Sequence, residues 1–279
     1  MPDFSHILFV SDYDHTLTDP DSVIPKRNLD AIEYFMAHGG RFTLCTGRSM
    51  ALFQPLRGVR VNAPVILLNG GLCYDFSAET ALFEHYIELD ARQMVLDLLQ
   101  AFPGIIVEIQ EPHGHYASRF EHGMSEFYRT SQCPFGTFVP EQTPHRLMKL
   151  ALYDAFPASD LSPLVHATEE EDRLFETMRQ YIQKRYGDAV SAVRPAARIL
   201  DLQSGQATKG SAARQLAEHL GTTLLVAAGD SENDLSMLDT ADLAFVPADA
   251  ILKNHGYQTV RPCGEGSIAD IIQVLSKQF

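Results

Sequence analysis

The sequence predicts an α/β protein: a parallel sheet with helices on both faces, interrupted by an inserted α+β module. Two patterns predict the sheet. Apolar strand-like runs alternate with helix-like segments in the first and last thirds of the 279 residues, and each run ends in Asp, Thr, Asn or Gly. A third pattern predicts the insertion: the middle third clusters its strands and sets its helices apart.

The elements run in order. Ile7-Leu8-Phe9-Val10 is an uninterrupted apolar run, as expected of a strand buried on both faces. It leads into Asp12 and Asp14, which would share one face if the extended geometry lasted that far. Asn28 to His38 carries apolar residues at 29, 32, 35 and 36 and is stopped by Gly39-Gly40, the pattern of an amphipathic helix. Arg41 to Cys45 and Val65 to Leu68 are the next strands. Leu89 to Phe102 reads as a helix. Gly104 to Gln110 and His115 to Phe120 alternate as a hairpin around Pro112-His113-Gly114, and Leu147 to Ala155 is a further strand. Glu169 to Tyr186 is a long helix with Leu174, Phe175, Met178 and Ile182 on one face. Strands at Ala189 to Arg194 and Arg198 to Leu202 close the middle section. Ser211 to Leu220 is a helix stopped by Gly221, Thr223 to Ala228 a buried strand, and Leu243 to Val246 the last core strand. The expected boundaries are 1–84 and 196–279 for the parallel-sheet domain and 85–195 for the insertion.

Composition narrows the function. Apolar content of 45% and charged content of 21% are those of an ordinary globular chain. The net charge of −14 argues against a nucleic acid or an anionic membrane as partner, since both need a basic footprint. A small anionic substrate stays open, because a local metal ion or lysine can outweigh the global charge. No apolar run approaches a membrane span, and Met1-Pro2-Asp3 lacks a signal-peptide pattern. Cys45, Cys73, Cys133 and Cys263 are scattered, as expected of reduced thiols in a cytoplasmic protein.

The polar punctuation falls at strand ends, where open parallel sheets bind ligands. Asp12-x-Asp14 comes after the first strand, Thr46-Gly47-Arg48 after the second and Asn69-Gly70 after the third. Gly229-Asp230-Ser231-Glu232-Asn233-Asp234 comes after a late strand. Lys209 precedes a helix, where small residues and a cation favour an anion. Two like charges at one strand end need compensation, for which a hard divalent cation is suited. Each piece alone has an ordinary explanation: a turn, a solvated lysine, a helix cap. Their joint order does not.

That order resembles the haloacid dehalogenase superfamily of phosphatases. Asp12-Tyr13-Asp14-His15-Thr16 is similar to its DxDxT motif, Thr46 to the second motif, Lys209 to the third and Gly229 to Asp234 to the GDxxND motif. The Thr46-Gly47-Arg48 and Asn69-Gly70 forms, with the insertion between the second and third motifs, resemble the Cof-type branch (subfamily IIB). The resemblance implies a Rossmann-like core with a C2-type cap. One position departs: His15 stands where this branch usually has Gly.

The resemblance further implies roles. Asp12 would be the nucleophile forming an aspartyl-phosphate, and Asp14 the acid and base. Mg²⁺ would be held by Asp12, the Asp14 carbonyl and Asp230, with Asp234 behind them. Tyr13, Thr46, Gly47, Lys209 and Asn233 would bind phosphate or substrate. The expected substrate is a small phosphomonoester such as a sugar phosphate, and the expected assembly a monomer or homodimer. Substrate choice would lie in the cap, where His113, His115, Tyr116, Arg119, His122 and Arg129 are candidates against a plainer reading as loop and surface residues. A phosphomutase of the phosphomannomutase type and a non-catalytic phosphate-binding protein are the rival readings.

Overall fold

The computed structural model describes residues 2–53, 59–154 and 167–279. Along the chain lie β1 (Ile7–Ser11), α1 (Lys26–Ala37), β2 (Arg41–Leu44), β3 (Val65–Leu67), β4 (Leu72–Asp75) and β5 (Thr80–Glu84). Next come α2 (Ala91–Ala101), β6 (Ile106–Glu111), β7 (Gly114–Ala117), α3 (His122–Thr130), β8 (Phe135–Thr137), β9 (Lys149–Tyr153), α4 (Glu169–Tyr186), β10 (Val190–Ala196) and β11 (Ile199–Ser204). The chain ends with α5 (Lys209–Leu220), β12 (Leu224–Ala228), α6 (Leu235–Thr240), β13 (Leu243–Pro247), β14 (Gln258–Val260) and α7 (Ser267–Gln278).

Two units divide the chain. Among the described residues the first holds 2–47, 59–83 and 208–279, and the second 48–53, 84–154 and 167–207. The first unit is built on a parallel sheet of order β14-β13-β12-β1-β2. Every residue of β1 is buried, so its uninterrupted apolar run serves both faces. Leu8 and Val10 pack with Ala212, Ala213 and Leu216 of α5, while Phe9 meets Phe35 of α1 and Phe42 edge-on. A parallel bridge, Cys45 to Ile66, attaches β3, which also opens a small β3-β4-β5 sheet.

The second unit is a six-stranded sheet of order β10-β11-β9-β6-β7-β8. One face is apolar: Val107, Ile109, Leu150, Leu152, Leu200 and Leu202 pack under α2 and α4. The capping box of Thr168 and Glu171 starts α4, which accounts for its sharp N-terminus. The opposite face carries α3 and the short segment around Ala51 and Leu52.

Four expectations need correction. Extended geometry stops at Ser11, so Asp12 and Asp14 do not lie on a continuing strand. β11 pairs with β9 across Ile199 to Gln203. The chain passes back to the first unit at Thr208, beyond the expected 196, with β11 still paired in the second unit's sheet. β14 lies outside β13 in the sheet, so Leu243 to Val246 is not the last strand; only three residues pair, too few to show a period. Elements α3, β4, β5, β8 and α7 were not anticipated, for the same reason in the short strands. Ala155, the last residue of one expected strand, lies outside the described residues.

Candidate active site

The site is assembled from strand ends of the first unit. The Asp12 amide donates to Ala228 O at 2.9 Å, one last ladder bond that carries Asp12 past β1. The chain then turns: Leu17 N and Thr18 N both donate to Tyr13 O. His15 adopts φ 57°, the left-handed region that Gly occupies without cost. His is among the side chains tolerated there, and the turn is pinned from outside. Ser267 Oγ donates to Thr16 O at 2.8 Å and Asn28 Nδ2 to Leu17 O at 3.1 Å. Asp12 is buried and Asp14, two residues on, is partly exposed.

Lys209 is the first residue of α5, after the capping residue Thr208. Gly210 beside it permits that start: a Cβ there would fall 2.1 Å from Ser236 O. The Lys209 ammonium is fully buried and lies 2.6 Å from both Asp12 Oδ1 and Asp234 Oδ1. Asp234 Oδ2 accepts the Asp230 and Ser231 amides at 2.9 and 3.1 Å. A Cβ at Gly229 would sit 2.5 Å from Asp234 Cβ, so glycine is what lets this acid fold back under its own loop. Thr16 Oγ1 donates to Asp230 Oδ1 at 3.1 Å.

A second branch reaches the ends of β2 and β3. Thr46 N donates to Ile66 O at 2.9 Å and Asn69 N to Thr46 O at 3.0 Å. Asn233 Nδ2 donates to Asn69 Oδ1 at 3.1 Å. Gly47 leaves room for this pair, since a Cβ would come within 2.9 Å of Asn69 Oδ1.

Electrostatics are set by burial. Desolvation drives the Asp12 carboxyl up to about 7, aided by Asp234 and Asp14 and opposed by Lys209. Asp230 is raised well above the usual carboxylate range, first by burial and then by Asp234 and Asp12. Burial alone would lower Lys209; the carboxylates of Asp12 and Asp234 more than reverse this, and it stands raised. Asp12, Asp230 and Asp234 bring carboxylate oxygens within 4.8 Å of one another. Three buried acids around one lysine are short of positive charge, and an all-oxygen donor set suits a hard divalent cation. The residues therefore fit a bound Mg²⁺. Asp234 is the poorest direct ligand of the three, because Lys209 and two amides already engage both its oxygens.

Asp12, Asp230, Asp234 and Lys209 are thus brought together, and Asn233 joins Thr46 and Gly47 through Asn69. Tyr13 and Asp14 lie on the turn beside them. Asn69 and Thr16 stood within the expected motifs but were given no role of their own. An Asn-Gly pair at a strand end, with Asn69 at φ 55°, is indistinguishable in sequence from an ordinary turn.

The sequence profile of the haloacid dehalogenase-like hydrolases matches residues 9–271. The chain belongs to that family. It is similar to 5-amino-6-(5-phospho-D-ribitylamino)uracil phosphatase YwtE of Bacillus subtilis (strain 168), at 25% identity over 96% of this chain and 98% of the relative. Pyridoxal phosphate phosphatase YbhA of Escherichia coli (strain K12) is also 25% identical, over 94% and 95%. Among solved structures, the HAD subclass IIB sugar phosphatase BT4131 superposes with a TM-score of 0.74 at 18% identity, covering 96% of this chain and 98% of that one; this last likeness concerns the fold. The chain is a hydrolase of this family, and its parallel-sheet unit and its six-stranded-sheet unit follow the fold of that structure.

Proposed function

We propose that this HAD phosphatase is a Mg²⁺-dependent hydrolase of small phosphomonoesters that works through an aspartyl-phosphate on Asp12. The observation that carries the reading is Lys209 held 2.6 Å from both Asp12 and Asp234 in a fully buried setting. Such a cation fixes the attacking carboxylate and offers positive charge to the phosphoryl oxygens.

Asp12 attacks phosphorus in line; the new bond forms as the bond to the leaving alcohol breaks. Asp14, on the partly exposed turn, gives its proton to the leaving oxygen. It then takes a proton from water, which attacks phosphorus and returns phosphate and free Asp12. Thr46, the Gly47 amide, Lys209 and Asn233 bind the equatorial oxygens, with Tyr13 a further phosphate or substrate contact. Asp12, the Asp14 carbonyl and Asp230 would hold Mg²⁺, and Asp234 would orient Lys209 and the 230–231 amides from behind. The ion, when bound, would supply charge neutralisation at the phosphoryl oxygens.

The relatives' names support a small substrate: one is named for a ribitylaminouracil phosphate and another for pyridoxal phosphate. Among the cap candidates, Tyr116 is 42% exposed, whereas Arg129 pairs with Glu126 and Arg119 donates to the carbonyls of Gly104 and Ile105. His113 is exposed in the β6–β7 turn and His122 opens α3. His115 is buried on β7, within the strand expected from His115 to Phe120, and is not the loop residue of the plainer reading. No helix among the described residues is long and apolar enough to cross a membrane. The proposed setting is a cytoplasmic monomer or homodimer acting on metabolites.

The test is phosphate release across a panel of metabolite phosphates with Mg²⁺ and without any bisphosphate activator. Release by the wild type, and none by Asp12→Asn, supports the reading; transfer to a second sugar hydroxyl without release would favour a mutase instead.

A further inference from the structure

The second unit buries a chain of polar side chains on the α3 face of its sheet. Glu108 is fully buried and accepts from Tyr128 Oη, Tyr153 Oη at 2.8 Å and Gln110 Nε2 at 2.7 Å, with His115 Nδ1 3.5 Å from its Oε1. Burial would raise this carboxyl, but hydrogen bonds from His115, Gln110 and Tyr128 more than offset it and hold it below its ordinary value. An ionised Glu108 fixes the direction of the bonds as far as His115 Nδ1. Tyr128 gives its proton to Glu108, so its oxygen accepts from His115 Nδ1 at 3.2 Å. Nδ1 then carries a proton, and Nε2 on the far side of the ring lies 2.8 Å from Ser49 Oγ. Ser49 Oγ in turn accepts the Leu52 amide at 3.2 Å. Ser49 and His115 are wholly buried and Tyr128 nearly so.

The far end of this relay gives it its meaning. Ser49 lies two residues after Gly47, where the polypeptide passes from the first unit into the second. The segment it opens is gripped twice more: the Ala51 amide donates to Pro112 O at 2.8 Å, and Ala51 is buried against Ile106, Ala117 and Tyr128. On its other side Thr46 is fixed by Ile66 and Asn69. Thr46 is thus anchored within the first unit, and Ser49 and Ala51 within the second. A buried ionised network is no better for stability than well-packed apolar residues of similar volume; its particular property is a single defined geometry.

We propose that Ser49, His115, Tyr128 and Glu108 form a positioning relay that sets where the chain leaving Thr46 and Gly47 runs, and so holds the phosphate-binding strand end in its productive geometry. This rests on the proposed role of Thr46 and Gly47 in binding phosphate. None of the four residues touches substrate; they act through the backbone. Loss of one link loosens the strand end, and misplacement by about 1 Å is enough to cost about 10²-fold in rate.

The test is a double-mutant cycle of Ser49→Ala and Tyr128→Phe in the full chain, two substitutions that delete one hydroxyl each. Steady-state kinetics with p-nitrophenyl phosphate is read beside hydrogen exchange over residues 46–53. Each single variant is expected to lower kcat by about tenfold or more with KM changed less than about threefold. The double variant should be no slower than the worse single, because one broken link already disconnects the chain. Exchange of the Ala51 to Phe53 amides should quicken in all three. Unchanged kcat in both singles, losses that simply multiply, or a loss matched by the unfolded fraction overturns the relay. If the wild type is as inactive as Asp12→Asn, the phosphatase reading fails by itself, and exchange then decides: faster amides in both variants support the relay, unchanged amides overturn it.

Discussion

Asp12→Asn should abolish turnover and, with the metal removed, stabilise the fold. The reasoning is linkage. Asp12 ionises at about 7 in the folded chain against an ordinary 3.8, chiefly because the carboxylate is desolvated. A carboxyl raised on folding makes the native state bind the extra proton, so stability falls as pH rises from about 4 to about 7 and is flat above. About three pKa units correspond to at most about 4 kcal/mol; with the side chains around Asp12 free to relax, about 2–4 kcal/mol is expected. Asparagine has nearly the same shape and no charge, so it mimics the protonated acid and escapes this loss. Urea denaturation in EDTA should therefore show Asp12→Asn more stable than wild type by about 2–4 kcal/mol at pH 8 and equal to it near pH 4. Phosphate release should fall at least about 10²-fold. A variant less stable than wild type at pH 8, a gain independent of pH, or more than a few per cent residual turnover would refute the reasoning.

Three further outcomes are expected. EDTA should remove activity and Mg²⁺ restore it, and the thermal stabilisation given by Mg²⁺ should be larger at pH 8 than at pH 5, because the raised carboxyls of Asp12 and Asp230 must lose their protons to bind a cation; equal shifts at both pH values would count against these ligands. Gly229→Ala should cost about 1–3 kcal/mol in urea denaturation and weaken Mg²⁺ binding by calorimetry, since its Cβ would press on Asp234; unaltered Mg²⁺ affinity would show that Asp234 does not support the site. His15→Gly should leave stability unchanged or raise it by up to about 1 kcal/mol, because φ 57° strains histidine and not glycine. A clear loss would mean that the imidazole makes a compensating contact.

Much was legible because the chemistry sits at strand ends. An apolar run such as Ile7 to Val10 can only be a doubly buried strand, and the residues just after it must lie at the sheet's carboxyl edge. Asp12, Thr46 and Asp230 could be placed at that edge, and Lys209 at a helix start, by their order in the chain; their roles came only from the family resemblance and are proposals. The long helix Glu169–Tyr186 was equally clear, since its apolar face repeats over 18 residues. Short elements were not. The strands β8 and β14 have three residues each, and α3 carries its buried side chains on a single narrow stripe, below what periodicity can resolve.

Other features depended on contacts between residues far apart in the chain. Nothing local says that β11 pairs with β9, which moved the end of the second unit from 195 to 207. Nothing local says that Asn69 meets Asn233, 164 positions away, or that Ser49 meets His115, 66 positions away. Local order gave the carboxylates and the lysine their places along the chain, because strand periodicity and turn chemistry act over a few residues. Their partners, the burial that raises Asp12, and the asymmetry between a buried Asp12 and a partly exposed Asp14 came from the packed structure, since desolvation and long-range hydrogen bonds exist only once the sheet has formed.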